Sequence, residues 1–200
     1  MKTITKHSIV SGKLFLLVLC LIAPSLAQAH VSPDHTNSLL CGLNHPLLGL
    51  DHILAMLAVG LWAAQLGGRT TWLVPASFVG LMAVGGTLGM AGFALPFVQQ
   101  GILISVLMLG VLIAAAARLP LPVSMAVVGM FAIFHGHAHG TEMQLGLSGF
   151  GYGLGFVLAT TGLHACGIGL GRLAQRESKT PLLRLAGGAI ALVALWLCLA

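Results

Sequence analysis

Two short stretches concentrate the groups that could do chemistry. The run "FHGHAHGTE" at 134–142 sets His135, His137 and His139 at alternate positions and ends on Glu142, while "HPLLGLDHILAM" at 45–56 carries His45, Asp51, His52 and Met56. A further histidine, His164, stands within "TTGLHACG". Imidazoles and carboxylates with no thiolate among them suit borderline divalent metals such as nickel, cobalt, zinc or copper(II), and one thioether at Met56 does not turn the set towards copper(I). Proton transfer is the other chemistry open to them.

Helical geometry sorts these groups. His45, Gly49, His52 and Met56 follow an i, i+4, i+7, i+11 pattern and share one stripe, with Asp51 about 100° round from His52. His135, His139 and Glu142 repeat the i, i+4, i+7 stripe. His137 falls on the opposite face of a continuous helix, unless Gly136 and Gly140 unwind the turn and bring it in.

The elements that carry them must lie in a membrane. Of the 200 residues, 58% are hydrophobic and 6% charged, and the mean hydropathy is +1.01, where a soluble domain has about a quarter of its residues charged. Such a chain holds about half a dozen helical spans and no separate soluble domain for work on a macromolecule. The fold class expected is an all-α polytopic membrane protein, with six transmembrane helices after a cleaved signal peptide. A sequence pI near 9.4 does not point to nucleic acid, because the nine Lys and Arg are scattered and read as topological charge.

Three lysines, Lys2, Lys6 and Lys13, precede the short apolar run "LFLLVLCLIA", and Ala27 and Ala29 then give the small-x-small pattern that a signal peptidase accepts. Residues 1–29 are therefore expected to be a signal peptide, 30–44 a short periplasmic tail, and 45–200 a six-helix transmembrane domain in a bacterial inner membrane. His30 and His35 in that tail are weaker candidate ligands. Apolar segments follow at about 46–66, 72–93, 97–117, 121–139, 148–171 and 182–199. Arg69, Arg118, and the group Arg172, Arg176 and Lys179 occupy the first, third and fifth connections, while the second and fourth carry no Lys or Arg. The positive-inside rule then sets both mature termini in the periplasm.

That orientation places the start of the first helix and the end of the fourth on one side. His45 and Glu142 are expected at the periplasmic surface, Asp51, His52 and His135 within about 9 Å below it at 1.5 Å per residue, and His164 past the midplane. A lone intramembrane histidine is often just a core residue bonded across helices, and Thr160 or Thr161 could satisfy His164 in that way. Several histidines and two acids converging at one depth point instead to metal or proton function.

Other features set limits. Glycines at small-xxx-small spacing, among them Gly85 and Gly89, Gly149 and Gly153, Gly151 and Gly155, and Gly167 and Gly171, serve close helix packing in lipid. Cys20, Cys41, Cys166 and Cys198 form no CxxC pair, and neither GxxxxGK nor HExxH occurs, so no zinc ribbon, nucleotide engine or zincin protease is encoded.

The runs "HPLLGLDHILAMLAVGLWA", "FHGHAHGTE" and "GLHACGIG" resemble those of the HupE/UreJ family of hydrogenase and urease accessory membrane proteins, across essentially the whole mature chain. The resemblance implies a signal peptide, six transmembrane helices and uptake of nickel, or cobalt in some relatives, for nickel-enzyme maturation. It implies that His45, Asp51, His52, His135, His139, Glu142 and His164 line the ion site, with His137 in a looser position of the pattern. No permanently bound cofactor is expected: the divalent ion is cargo, the bilayer is the other partner, nucleic acid is not one, the link to maturation proteins is indirect, and a homo-oligomer is left open. Two other readings stay open, an intramembrane metal- or haem-binding protein or enzyme, and an accessory subunit that binds metal without transporting it.

Overall fold

The structure, a computed structural model, describes residues 37–143, 145–177 and 180–199. The expected signal peptide, His30 and His35 lie outside the described residues. Among those described, the chain is entirely helical: α1 (Ser38–Asn44), a 3-10 turn (His45–Leu47), α2 (Leu50–Leu66), α3 (Thr70–Met90), α4 (Val98–Ala114), α5 (Leu121–Thr141), α6 (Gly149–Arg176) and α7 (Thr180–Leu199). Four of these, α3, α5, α6 and α7, are long and apolar enough to cross a membrane. The chain is a multi-pass membrane protein.

The first segment differs from the continuous helix expected over 46–66. Ser38–Leu47 and Leu50–Leu66 meet at a bend of 82°. Pro46 has no N–H to continue an α-helical ladder, and Gly49 is extended at φ −101° and ψ 121°, so α2 starts afresh at Leu50. Residues 38–44, read from the sequence as part of a polar tail, instead form α1. Asn37 caps it by accepting from the Leu40 N–H at 3.2 Å, and Ser38 Oγ accepts from the Ser148 N–H at 2.8 Å. Helix α4, with 17 residues, is about 25 Å long at 1.5 Å per residue, short of a typical ~30 Å hydrocarbon core.

Small residues set how closely the helices approach. A Cβ on Gly85 or Gly89 would collide with the carbonyls of Ile133 and His137, and one on Gly136 or Gly140 with those of Met82 and Gly86. These positions zip α3 against α5. Gly60 and Gly167 do the same for α2 against α6, and Gly42 and Gly155 for α1 against α6. Of the spacings expected to pack, Gly149 and Gly153 differ, since a Cβ on Gly153 would meet nothing. The seams press Trp62, Phe78, Met56, Met82, Leu109 and Val128 into a core free of solvent.

The bundle has two chemically distinct ends. At one, Arg172 lies over the Trp72 ring at 5.1 Å, Arg184 Nε donates to the Ala114 carbonyl at 2.8 Å, Trp62 Nε1 donates to the Ala117 carbonyl at 3.0 Å, and Gln175 donates to the Ala64 carbonyl at 2.9 Å. These contacts gather the last turns of α2, α4 and α6 and the first turns of α3 and α7, the same end that holds Arg69 and Arg118. The histidines and acids of the two motifs gather at the opposite end.

Candidate metal-conducting site

The start of α2, the end of α5 and the first turns of α6 bring the motifs together. His45, on the 3-10 turn rather than on α2, reaches the end of α5 because of the bend: its Nε2 donates to Glu142 Oε2 at 2.9 Å. The ring of His139 lies 4.7 Å from that of His45 and 4.4 Å from that of His52, and His52 lies 4.9 Å from His135. Below His135, Phe78 touches both it and His164, at 5.7 and 5.2 Å between ring centres. The result is a file, Glu142, His45, His139, His52, His135, Phe78, His164. Side-chain exposure is 57% for Glu142 and 26% for His45, and residue exposure is 2% or less for His139, His135 and His164.

The hydrogen bonds fix which nitrogens are bare. Carboxylates and carbonyls only accept, so an imidazole bonded to one must carry its proton on the bonded nitrogen. His52 Nδ1 donates to Asp51 Oδ1 at 2.8 Å and His164 Nδ1 donates to the Met56 carbonyl at 2.8 Å. Their Nε2 atoms are buried without partners, as is Nδ1 of His135 and both ring nitrogens of His139. Buried nitrogens are rarely left unbonded, and orphaned lone pairs in a row on separate helices are what a ligand would satisfy. His164 is thus held by Met56, not by the nearby threonines, whose hydroxyls turn to Met82 Sδ and the Val157 carbonyl.

Asp51 is engaged as a holder. Its Oδ1 also accepts from the His52 backbone N–H at 2.8 Å, and its Oδ2 accepts from Gln99 at 3.4 Å. A carboxylate bonded to the far nitrogen of a ligating histidine orients the ring and raises its basicity. Gly49 leaves room for this pair, because a Cβ there would press on Asp51 Oδ1 and His52 Nδ1.

His137 is set apart. Helix α5 runs unbroken to Thr141, so Gly136 and Gly140 do not unwind the turn. They let α3 approach, and His137 faces away from the file, its Nε2 donating to the Phe93 carbonyl at 2.6 Å.

His45, His139 and Glu142 offer donor atoms that all lie within 4.8 Å of one another. Two donors each ~2.1 Å from one ion are at most ~4.2 Å apart, so the trio needs to close by only about half an ångström. The hydrogen bond from His45 holds the Glu142 carboxyl below its ordinary value of 4.5, against the upward push of partial burial. That carboxylate stays charged at the mouth of the file. An apolar crevice of 410 Å³ between α3, α5 and α6 reaches one edge of His139, but walls such as Met82, Met90, Phe156 and Val157 give a hydrated cation no route.

Several residues of the site carried no clear signal in the sequence. Phe156 lies tilted against His139 with ring centres 4.0 Å apart, and Tyr152, the chain's one tyrosine, lies 5.7 Å from His45 with a buried, unpartnered hydroxyl. Polar residues in apolar helices were the available hint for Gln99 and Ser105, which hold Asp51 and His135.

The HupE / UreJ protein family model matches residues 17–197. The chain belongs to that family. It is 49% identical over 181 residues to Protein HupE of Rhizobium leguminosarum bv. viciae, covering 90% of this chain and 94% of that protein. No solved structure matches. This HupE/UreJ protein therefore carries the histidine file on a family scaffold along nearly its whole length.

Proposed function

We propose that this chain is an inner-membrane permease for a divalent transition metal ion, nickel foremost and cobalt second, supplying hydrogenase or urease maturation. The observation that carries the reading is the file of imidazoles running from an exposed carboxylate into the core, in which His52, His135 and His164 are held by Asp51, Ser105 and the Met56 carbonyl and each keeps a bare nitrogen. Family membership supports the link to nickel enzymes. In this reading six spans follow a removed signal peptide, the short α4 and the bent first segment among them, and both termini are periplasmic. The grouping of arginines opposite the file supports that orientation.

Glu142 draws the hydrated cation, and His45 and His139 replace part of its water, the His45 proton moving by exchange with solvent from Nε2 to Nδ1 so that Nε2 is free to bind. The ion then passes to the bare nitrogens of His52 and His135. Phe78 must turn aside before it reaches His164. A divalent ion falling through 100 mV gains about 4.6 kcal/mol, enough to drive uptake without ATP. Haem is less well served, because a flat macrocycle would have to enter between rings already in edge contact.

Proteoliposomes holding this chain alone, loaded with a nickel-sensitive dye and polarised negative inside, are expected to accumulate nickel. Purified protein that bound nickel while the vesicles took up none would identify it as a non-transporting accessory subunit.

A further inference from the structure

Asp51 and the Met56 carbonyl can only accept, so they leave His52 and His164 no choice of tautomer. His135 differs, because its partner is a hydroxyl, which can donate or accept. Ser105 Oγ lies 2.6 Å from the Ile102 carbonyl and 2.8 Å from His135 Nε2, with the whole serine buried. One hydroxyl proton cannot serve both. The Ile102 carbonyl has no proton to give, whereas the imidazole has one that it can hold at either nitrogen. Were the hydroxyl to donate to Nε2, the imidazole proton would move to Nδ1, which is buried with no partner, and the contact with Ile102 would lose its proton. With the hydroxyl donating to Ile102 and accepting from Nε2–H, every proton has an acceptor.

We propose that Ser105 is a positioning residue for the metal path: it locks His135 in the Nε2–H form and so presents Nδ1 as the bare donor atom. This rests on the permease reading above. A serine in an apolar helix commonly turns its hydroxyl back to its own helix, and the Ile102 bond alone would be that. The second bond, across to α5, is what a merely helical role leaves unexplained. Helix α4 supplies no imidazole or carboxylate to the file, yet Gln99 and Ser105, six residues apart, hold Asp51 and His135 in turn. Its part is to orient the donors carried by α2 and α5.

The experiment uses purified full-length protein with ¹⁵N-labelled histidine at neutral pH, together with nickel titration. The Nε2–H signals absent from the His135→Asn spectrum belong to His135. In Ser105→Ala those signals are expected to move to the Nδ1–H form or to a mixture, and nickel affinity to fall about tenfold, the lower end for loss of a partner behind a ligand. Ser105→Thr, whose hydroxyl can bond back to its own helix in the same way, is expected to restore both. An unchanged His135 tautomer in Ser105→Ala, or failure of threonine to restore it, overturns the proposal. If the alanine variant does not fold, Ser105→Cys, similar in size and a weak acceptor, takes its place with the same expectations. Absence of nickel binding in the unaltered protein would sink the permease reading instead, while the spectra still decide whether Ser105 sets the tautomer.

Discussion

His52 and His139, 87 residues apart in sequence, meet edge to face with ring centres 4.4 Å apart, and this contact joins the α2 motif to the α5 motif. His139 has no hydrogen-bond partner at either nitrogen and His52 has none at Nε2. We expect His139→Asn and His52→Asn each to reduce nickel uptake below a tenth of normal at equal membrane abundance. Near-normal accumulation in either variant would remove the file as the route.

His137, whose Nδ1 is likewise buried without a partner, differs by lying off the file. Its bond to the Phe93 carbonyl ties α5 to the turn after α3, so His137→Ala should lower thermal stability in detergent by about 1 kcal/mol, the net value of one hydrogen bond. Nickel affinity of the folded variant should stay within about threefold of normal. A loss as deep as that of His139→Asn would mean that His137 reaches the ion.

Replacing Asp51 by Asn keeps an oxygen near His52 but removes the charge that orients and strengthens it. Nickel binding by purified Asp51→Asn should weaken by roughly 10–100-fold, as for other partners behind a ligating histidine. Complete loss would instead make Asp51 a direct ligand.

Acid should weaken binding as Glu142 takes up a proton. Glu142 is depressed below 4.5 by the His45 hydrogen bond, so its carboxylate is charged above that value and is lost only as pH falls through its lowered value. Isothermal titration of the unaltered protein should show a loss of nickel affinity in that acid range, whereas Glu142→Gln should bind more weakly at neutral pH and lack that loss. An equal acid loss in Glu142→Gln would remove the carboxylate from the metal site.

The close seams offer a structural check. A side chain at Gly60 would strike the His164 carbonyl and Gly167, so Gly60→Val should shift α2 along α6, destabilise by about 1–3 kcal/mol or more, and impair uptake by moving Met56 away from His164. A melting temperature equal to that of the unaltered protein would show that the seam is looser than described.

Much of the molecule was already present in its residue order. Hydropathy belongs to residues one at a time and helical periodicity to neighbours a few positions apart, so the apolar segments, the stripe of His135, His139 and Glu142, and the donor chemistry follow from local pattern alone. The 82° bend, by contrast, detached His45 from the stripe it shares with His52 on paper and, together with the packing of α1 on α6, carried it to Glu142 and His139. Gly136 and Gly140 could be read as points of unwinding or as small surfaces. The approach of α3 made them small surfaces, which sent His137 away from the file. Phe78, Gln99, Ser105 and Phe156 entered the site because of which faces α3, α4 and α6 turn inward, and that choice is made by contacts between segments far apart in sequence.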